Sequence, residues 1–131
     1  MSVAEFIHYL HPTLSEAGFR LDEMQDDIVF RGGSAWAVYY RGMDCKLQLC
    51  WAARDAGTYF MLAPIDAPNE LGLVNSSKKW QMMLLLSKLR NPIQAPDLGA
   101  GDSEIMSWMK ELFDMHYESA HRTLLSEIQA D

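Results

Sequence analysis

The sequence predicts an α+β fold in which helices pack against one antiparallel sheet. Between residues 28 and 63, apolar and polar side chains alternate with a period of two, which is typical of strands. Short turns containing glycine interrupt this alternation, and short connections favour antiparallel neighbours. The segments on either side carry apolar residues at helical spacing, so we expect helices to cover the sheet.

The first predicted element is an amphipathic helix that begins after Ser2. Ser2 and Glu5 form the Ser-x-x-Glu capping box of a helix start. Gly18 is suited to the left-handed position that commonly ends a helix. Pro12 lies inside the segment, and we expect it to kink or split the helix because it has no backbone N–H to donate.

The next predicted element is a meander of about four strands. A short strand at Ile28 to Arg31 is followed by three longer ones, the clearest of which runs from Cys45 to Arg54. We expect the helices to cover one face of this sheet, and if they cover only that face, the other face is open. The residues expected on the covered face are Trp36, Leu47, Leu49 and Trp51, and those on the open face include Tyr39, Lys46, Gln48 and Tyr59.

Two further helices are predicted after a connecting segment. The first, Lys78 to Arg90, is apolar on both sides, with Trp80 and Leu84 nearly opposite its main apolar face. Such a helix is either buried between layers or used for self-association, and both alternatives stay open for Trp80 and Leu84. Asp102 is expected to cap the last helix, roughly Ser103 to Ile128.

Length and charge limit the function. A chain of 131 residues with 49% hydrophobic residues is expected to form a single globular domain over residues 1–131. The net charge of −7 argues against general binding to nucleic acid or to an anionic membrane, and it suits a basic protein partner. The sequence shows no signal peptide and no apolar run of about 20 residues. With only two cysteines, we expect a reducing, cytoplasmic location.

No motif predicts a cofactor or a metal site. Glu5-x-x-His8 and Glu118-x-x-His121 have the spacing of carboxylate-bridged diiron sites, which need both pairs on the inward faces of a helix bundle. Here both pairs fall on polar helix faces and are separated by the sheet. We therefore expect neither metal nor cofactor.

Catalytic residues are not predicted either, and we expect that the protein is not an enzyme. Cys45 is expected to pack in the core, whereas Cys50 lies on the polar strand face near Lys46, where a chemical role stays open. His116 falls in the apolar stripe of the last helix. A buried neutral histidine is the expected outcome there, with a chemical role as the alternative.

The sequence instead favours a protein-binding surface. Glu23, Asp26 and Asp27 are expected to form an acidic loop before the sheet. Tyrosine and arginine side chains, which are enriched at interface hot spots, add a second candidate surface on the sheet. The predicted partner-binding residues are Glu23, Asp26, Asp27, Tyr39, Arg41, Lys46 and Tyr59.

The leading helix, the Phe30-Arg31-Gly32-Gly33 turn and the Trp36-Ala37-Val38-Tyr39-Tyr40 strand resemble the small acidic immunity proteins of bacteria. The resemblance covers about half of the chain and carries no functional residue across. It implies an inhibitor that binds and occludes a toxin, and a basic toxin domain would suit the acidic surface.

The outline also resembles type III secretion chaperones, which are acidic dimers that bind an effector segment. This chain departs from them because residues 91–101 are too short and too rich in proline for their last two strands. A chaperone that forms a homodimer is therefore the second alternative, and an enzyme of unknown type is the third.

Overall fold

The computed structural model describes residues 2–54, 57–97 and 99–130. All five strands form one antiparallel sheet in the order β1-β2-β3-β4-β5. The predicted α+β class and the meander are confirmed, with five strands where about four were expected. In chain order the elements are α1 (Val3–Glu16), β1 (Arg20–Phe30), β2 (Gly33–Arg41), β3 (Cys45–Ala52), β4 (Gly57–Pro64), β5 (Gln81–Met82), α2 (Met83–Leu86) and α3 (Asp102–Ala130).

Helix α1 begins and ends as its sequence predicts. The Ser2 hydroxyl accepts a hydrogen bond from the Glu5 N–H at 3.4 Å, and Gly18 has a positive φ of 95°. The alternative that Pro12 splits the helix is wrong, since α1 runs without a break from Val3 to Glu16. Pro12 lies on the exposed side, where water can bind the carbonyl group that loses its helical partner.

Helices α1, α2 and α3 cover one face of the sheet. Phe6 and Leu10 of α1 are fully buried against Trp36 and Leu47 of the sheet, as is Met109 of α3. This is the face that the sequence predicts to be covered. The final helix is also confirmed, and it extends to Ala130.

The opposite face of the sheet is covered by the chain itself. Residues 65–80, here called the connector, lie across it, and Trp80 and Leu71 pack with Tyr39 and Cys50. The prediction that this face is open is therefore wrong. Alanines on three strands give the connector backbone room to approach closely, and they are Ala35, Ala37, Ala52 and Ala63.

Polar side chains on this face fasten the connector. Lys46, only 3% exposed, donates to the Ala67 carbonyl at 3.0 Å. Gln48 donates to the Glu70 carbonyl and accepts from the Gly72 N–H, both at 2.9 Å. Because each buried group has a partner, burying it costs far less than its polarity suggests.

The predicted helix from Lys78 to Arg90 is wrong. Only Met83–Leu86 is helical, and the two residues before it pair with β4 as β5. The Asn75 side chain bonds the N–H and the carbonyl of Trp80, at 3.1 and 2.9 Å, which removes both groups from a helical ladder. Trp80 is buried between the sheet and the connector, whereas Met83 is buried between the sheet and the helices. The segment is apolar on both sides because the chain passes there from one face of the sheet to the other.

In the described part of the chain, no helix combines the length and the apolar character needed to cross a membrane.

Candidate functional site

Strand β1 forms one edge of the sheet. Among the described residues it pairs only with β2, so its outer edge has no strand partner. The strand is eleven residues long, and its register with β2 shifts between Leu21 and Glu23 and again between Gln25 and Ile28. An outer edge presents backbone N–H and C=O groups to which another chain can add a strand.

This edge is strongly acidic. Four carboxylates stand against the single cation of Arg20, which gives β1 a net charge of −3. All four are exposed, and two of them lie in the second irregularity of the strand. The predicted acidic loop is therefore a strand, although its residues are exposed as expected. The four carboxylates are those of Asp22, Glu23, Asp26 and Asp27.

Asn69 of the connector holds two of these carboxylates in place. Its amide nitrogen donates to Asp22 Oδ2 at 3.0 Å and to Glu23 Oε1 at 2.8 Å. Its amide oxygen accepts from the Lys46 ammonium group, which lies 4.0 Å from Asp22 Oδ2. Burial lowers the pKa of Lys46, and the charge of Asp22 acts in the opposite direction. A buried cation and an amide thus order part of the acidic edge.

The other side of β1 is apolar. Leu21 and Met24 are each 47% exposed, and they face α1 across a groove of about 550 Å³. We call this the α1–β1 groove, and its α1 side includes Ile7, His11 and Pro12. The outer edge of β1 therefore runs between Asp22 and Glu23, which bond the connector, and an apolar groove on the helix side.

The structure separates the predicted partner-binding residues into three groups. Arg41 is exposed at the end of β2 and pairs with Arg20 at the start of β1, so it lies one strand in from the acidic edge. Tyr59 is half-buried on β4, three strands away from β1. The third group, Tyr39 and Lys46, is buried.

Tyr39 and Lys46 therefore cannot contact a partner directly, and their predicted place on an open surface is wrong. The Tyr39 hydroxyl donates to Gln25 Oε1 at 2.9 Å, and burial raises its pKa. Both side chains lie under the connector, whose irregular path gave no periodic signal in the sequence.

The predicted self-association surface is also divided. Trp80 is only 2% exposed, and its indole N–H donates to the Pro68 carbonyl at 3.0 Å. Of the two alternatives left open for Trp80, burial within the fold is the one observed, because its side chain packs under the connector. Leu84 is exposed, and Leu85 beside it is 82% exposed.

Sequence reasoning missed three residues of this edge, namely Leu21, Asp22 and Met24. They fall in the stretch before the sheet that was predicted to be an acidic loop. The sequence did contain a sign of a strand here, because Leu21 and Met24 are apolar residues within an acidic run. An exposed loop has no need of such apolar residues.

A second arrangement connects Ser87, His116 and Asn91. Ser87 Oγ is 2.8 Å from His116 Nδ1, and His116 Nε2 is 3.2 Å from Asn91 Oδ1. An amide oxygen only accepts, so Nε2 carries the proton and Nδ1 accepts from the serine. Nucleophilic sites use the same order of hydroxyl, imidazole and orienting group.

The surroundings give this arrangement a structural role. The N–H of Lys88 donates to Ser119 Oγ at 2.8 Å, and the N–H of Leu89 donates to Ser87 Oγ at 3.2 Å. The two amides that follow Ser87 are therefore occupied, whereas acyl transfer needs donors directed at an oxyanion. The predicted burial of His116 is confirmed at 0% exposure, and its hydrogen bonds fasten the segment after α2 to α3.

We expect His116 to make the protein less stable in mild acid. Burial lowers its pKa below the ordinary 6.5, so below that pH the unfolded chain binds more protons than the folded one. Its contribution is therefore present at neutral pH and is lost as the pH falls from about 6.5 towards the folded-state pKa. Urea unfolding at about pH 7.5 and about pH 5.5 measures this loss.

The matched variants for this measurement are His116→Gln and His8→Gln, since His8 is exposed on α1. The loss of unfolding free energy between the two pH values should shrink in His116→Gln and stay unchanged in His8→Gln. An equal loss in wild type and His116→Gln would contradict the assignment.

Cys50 is buried on the connector side of the sheet. Burial raises the pKa of its thiol to about 12, so the thiolate that nucleophilic chemistry needs is disfavoured. Its predicted place on an accessible polar face is wrong because the connector covers that face, as it covers Lys46.

Comparisons with known proteins add no relative: no family model matches the chain, and no curated protein or solved structure does so. The edge of β1 and the groove beside it are therefore the features that indicate a function.

Proposed function

We propose that this protein binds another protein through the edge of β1, and that it is a cytoplasmic immunity protein that occludes a toxin. The observation that supports the proposal most is β1 itself, a long outer strand with four exposed carboxylates. Proteins protect such an edge by covering it, by keeping it short, or by placing bulges and charges on it, and charges of one sign leave the edge open to a partner of the opposite sign. Here it is eleven residues long and is ordered from behind by Asn69.

The charge of the edge indicates a basic partner. A net charge of −3 on β1 within a chain of −7 attracts a cationic surface over several ångströms and speeds encounter. Toxin domains that act on nucleic acid have a basic substrate groove, because they contact phosphates. An acidic edge placed in that groove competes with the substrate for the same cations.

The α1–β1 groove gives the contact an apolar component. A strand added to β1 would direct alternate side chains to opposite faces of the sheet. One set would meet Leu21 and Met24 in the groove, and the other would meet Glu23 and its acidic neighbours. We therefore expect the bound segment of the toxin to alternate apolar and basic residues.

A secretion chaperone is the second candidate. The observation that favours it is a set of exposed leucines at and after α2, which a second copy could cover, namely Leu84, Leu85 and Leu89. The immunity proposal has the stronger support, since the acidic edge and the apolar groove meet on one strand.

Affinity capture from the native host tests the proposal. The bait is the full chain, and the matched baits are Leu21→Ser/Met24→Ser in the groove and Leu85→Ser beside α2. We expect one folded basic domain to be captured by wild type and by Leu85→Ser, and to be lost or strongly reduced with the groove variant. The captured domain should be toxic when expressed alone and harmless when expressed with wild type.

Two results would contradict the proposal. Capture of an unfolded effector segment, lost in Leu85→Ser and kept in the groove variant, would indicate the chaperone instead. A captured domain whose toxicity is unchanged by co-expression would exclude an immunity function.

A further inference from the structure

Three metal-ligating side chains of different chemistry meet at the turn between β2 and β3. Asp44 lies in this turn, Cys45 begins β3, and His121 belongs to α3. One ligand atom from each lies within 4.8 Å of the other two, and Asp44 Oδ1 is 2.8 Å from His121 Nε2. Among residues 2–54, 57–97 and 99–130, this is the group of side chains whose spacing suits a metal ion.

The site is built on rigid parts of the fold. The N–H of Gly42 donates to the Cys45 carbonyl at 2.9 Å, which closes the turn that carries Asp44. Tyr117, one helical turn before His121, stacks on the imidazole with ring centroids 5.3 Å apart. These contacts set the directions of the carboxylate and the imidazole before any ligand arrives.

Tyr117 also lies beside the sulfur. Burial and the Asp44 carboxylate raise the pKa of the Cys45 thiol to about 12, and the Tyr117 hydroxyl acts in the opposite direction. A hydroxyl that donates to a metal-bound thiolate is the kind of outer contact that orients ligands and adjusts their basicity. Cys45 is buried, whereas Asp44 is exposed and His121 is partly exposed, so two of the three ligands are accessible from solvent.

We infer that Asp44, Cys45 and His121 form a zinc site. A thiolate, an imidazole and a carboxylate are the ligand types that Zn²⁺ binds, and three protein ligands leave a fourth position for water. On binding, the Cys45 thiol loses its proton to solvent and a sulfur–zinc bond forms. The two negative charges of thiolate and carboxylate then balance the two positive charges of the ion, so the half-buried site is neutral.

Occupation would connect the β2–β3 turn to α3. Without an ion, His121 of α3 contacts Asp44 of the turn by a hydrogen bond or ion pair. A partly exposed pair of this kind contributes little to the free energy of unfolding. A bound ion would replace it with three coordinate bonds, and we expect zinc to raise the melting temperature.

Cobalt titration of the purified, metal-stripped full chain tests the site, because cobalt bound to a thiolate absorbs by sulfur-to-metal charge transfer. We expect this absorption to saturate at one cobalt per chain and to disappear on addition of Zn²⁺. The absorption should be absent in Cys45→Ser and retained in Cys50→Ser, which removes the other buried thiol. His121→Gln should weaken binding strongly, and the exposed control His8→Gln should not.

Tyr117→Phe keeps the ring and removes the hydroxyl, and we expect it to weaken cobalt binding about tenfold. No charge-transfer absorption in wild type, or an absorption that persists in Cys45→Ser, would overturn the site. Should Cys45→Ser not fold, Asp44→Asn and His121→Gln decide the question: binding at the wild-type level in both would overturn it equally.

Discussion

Conversion of Asp22, Glu23, Asp26 and Asp27 to their amides is expected to slow association with the partner by about tenfold to a hundredfold at low salt. Long-range attraction acts mainly on the rate of encounter, so the dissociation rate should change less. The difference between the variant and wild type should shrink as salt is added, because the Debye length falls to about 8 Å at physiological ionic strength. Surface plasmon resonance at several salt concentrations measures both rates.

A control with the same change in net charge isolates the position of the charges. Glu16, Glu104, Glu111 and Glu118 are exposed on α1 and α3, and their conversion to glutamine also removes four charges. This control should keep most of the wild-type association rate. If both variants slowed association equally, net charge alone would account for the effect and the β1 edge would have no special role.

Substitution of Trp80 by alanine is expected to destabilise the protein by about 3–5 kcal/mol. The side chain is almost fully buried, it packs against Tyr39 with ring centroids 6.0 Å apart, and its N–H fixes the connector through Pro68. Its loss leaves a cavity under the connector and removes that hydrogen bond. Urea unfolding followed by circular dichroism measures the change in the free energy of unfolding.

Thiol labelling of the folded variant shows where the structure loosens. Cys50 lies on the connector side of the sheet and Cys45 on the helix side, and both are buried. Trp80→Ala should speed labelling of Cys50 and leave Cys45 protected. Trp80→Phe, which keeps a ring and loses the N–H, should cost about 1 kcal/mol. A stable Trp80→Ala variant with unchanged labelling would show that the connector does not depend on this residue.

The sheet was predictable because its signal is local. Strand alternation and turn glycines fixed the meander, and the hairpin between β1 and β2 turns at Arg31 and Gly32, both with positive φ as a two-residue turn requires. The capping residues of α1 likewise depend only on neighbours in sequence. The third helix was long and periodic enough to be found within two residues of its end.

The connector was not predictable because its order comes from distant partners. Lys46 and Gln48 look solvated in sequence, yet backbone groups of residues 67–72 satisfy them. Trp80 is taken out of a helical pattern by the side chain of Asn75. Neither set of hydrogen bonds produces a periodic pattern in the sequence. The face that the connector covers was therefore expected to be open.

The candidate site was predictable in part. The exposed carboxylates could be read from the acidic run, but their place on an outer strand depends on pairing with β2 across two irregularities. The groove depends on how α1 lies beside that strand, which no local pattern records. The zinc ligands come from residues 44 and 121, which only the packing of α3 brings together.

Hydrogen–deuterium exchange of the complex tests the central claim most directly. Amides on the outer edge of β1 exchange with solvent in the free protein, and a strand or surface bound there would protect them. Binding of the partner should slow exchange across Arg20–Phe30 and leave α2 unchanged. Protection elsewhere, with β1 exchanging as it does in the free protein, would contradict the account.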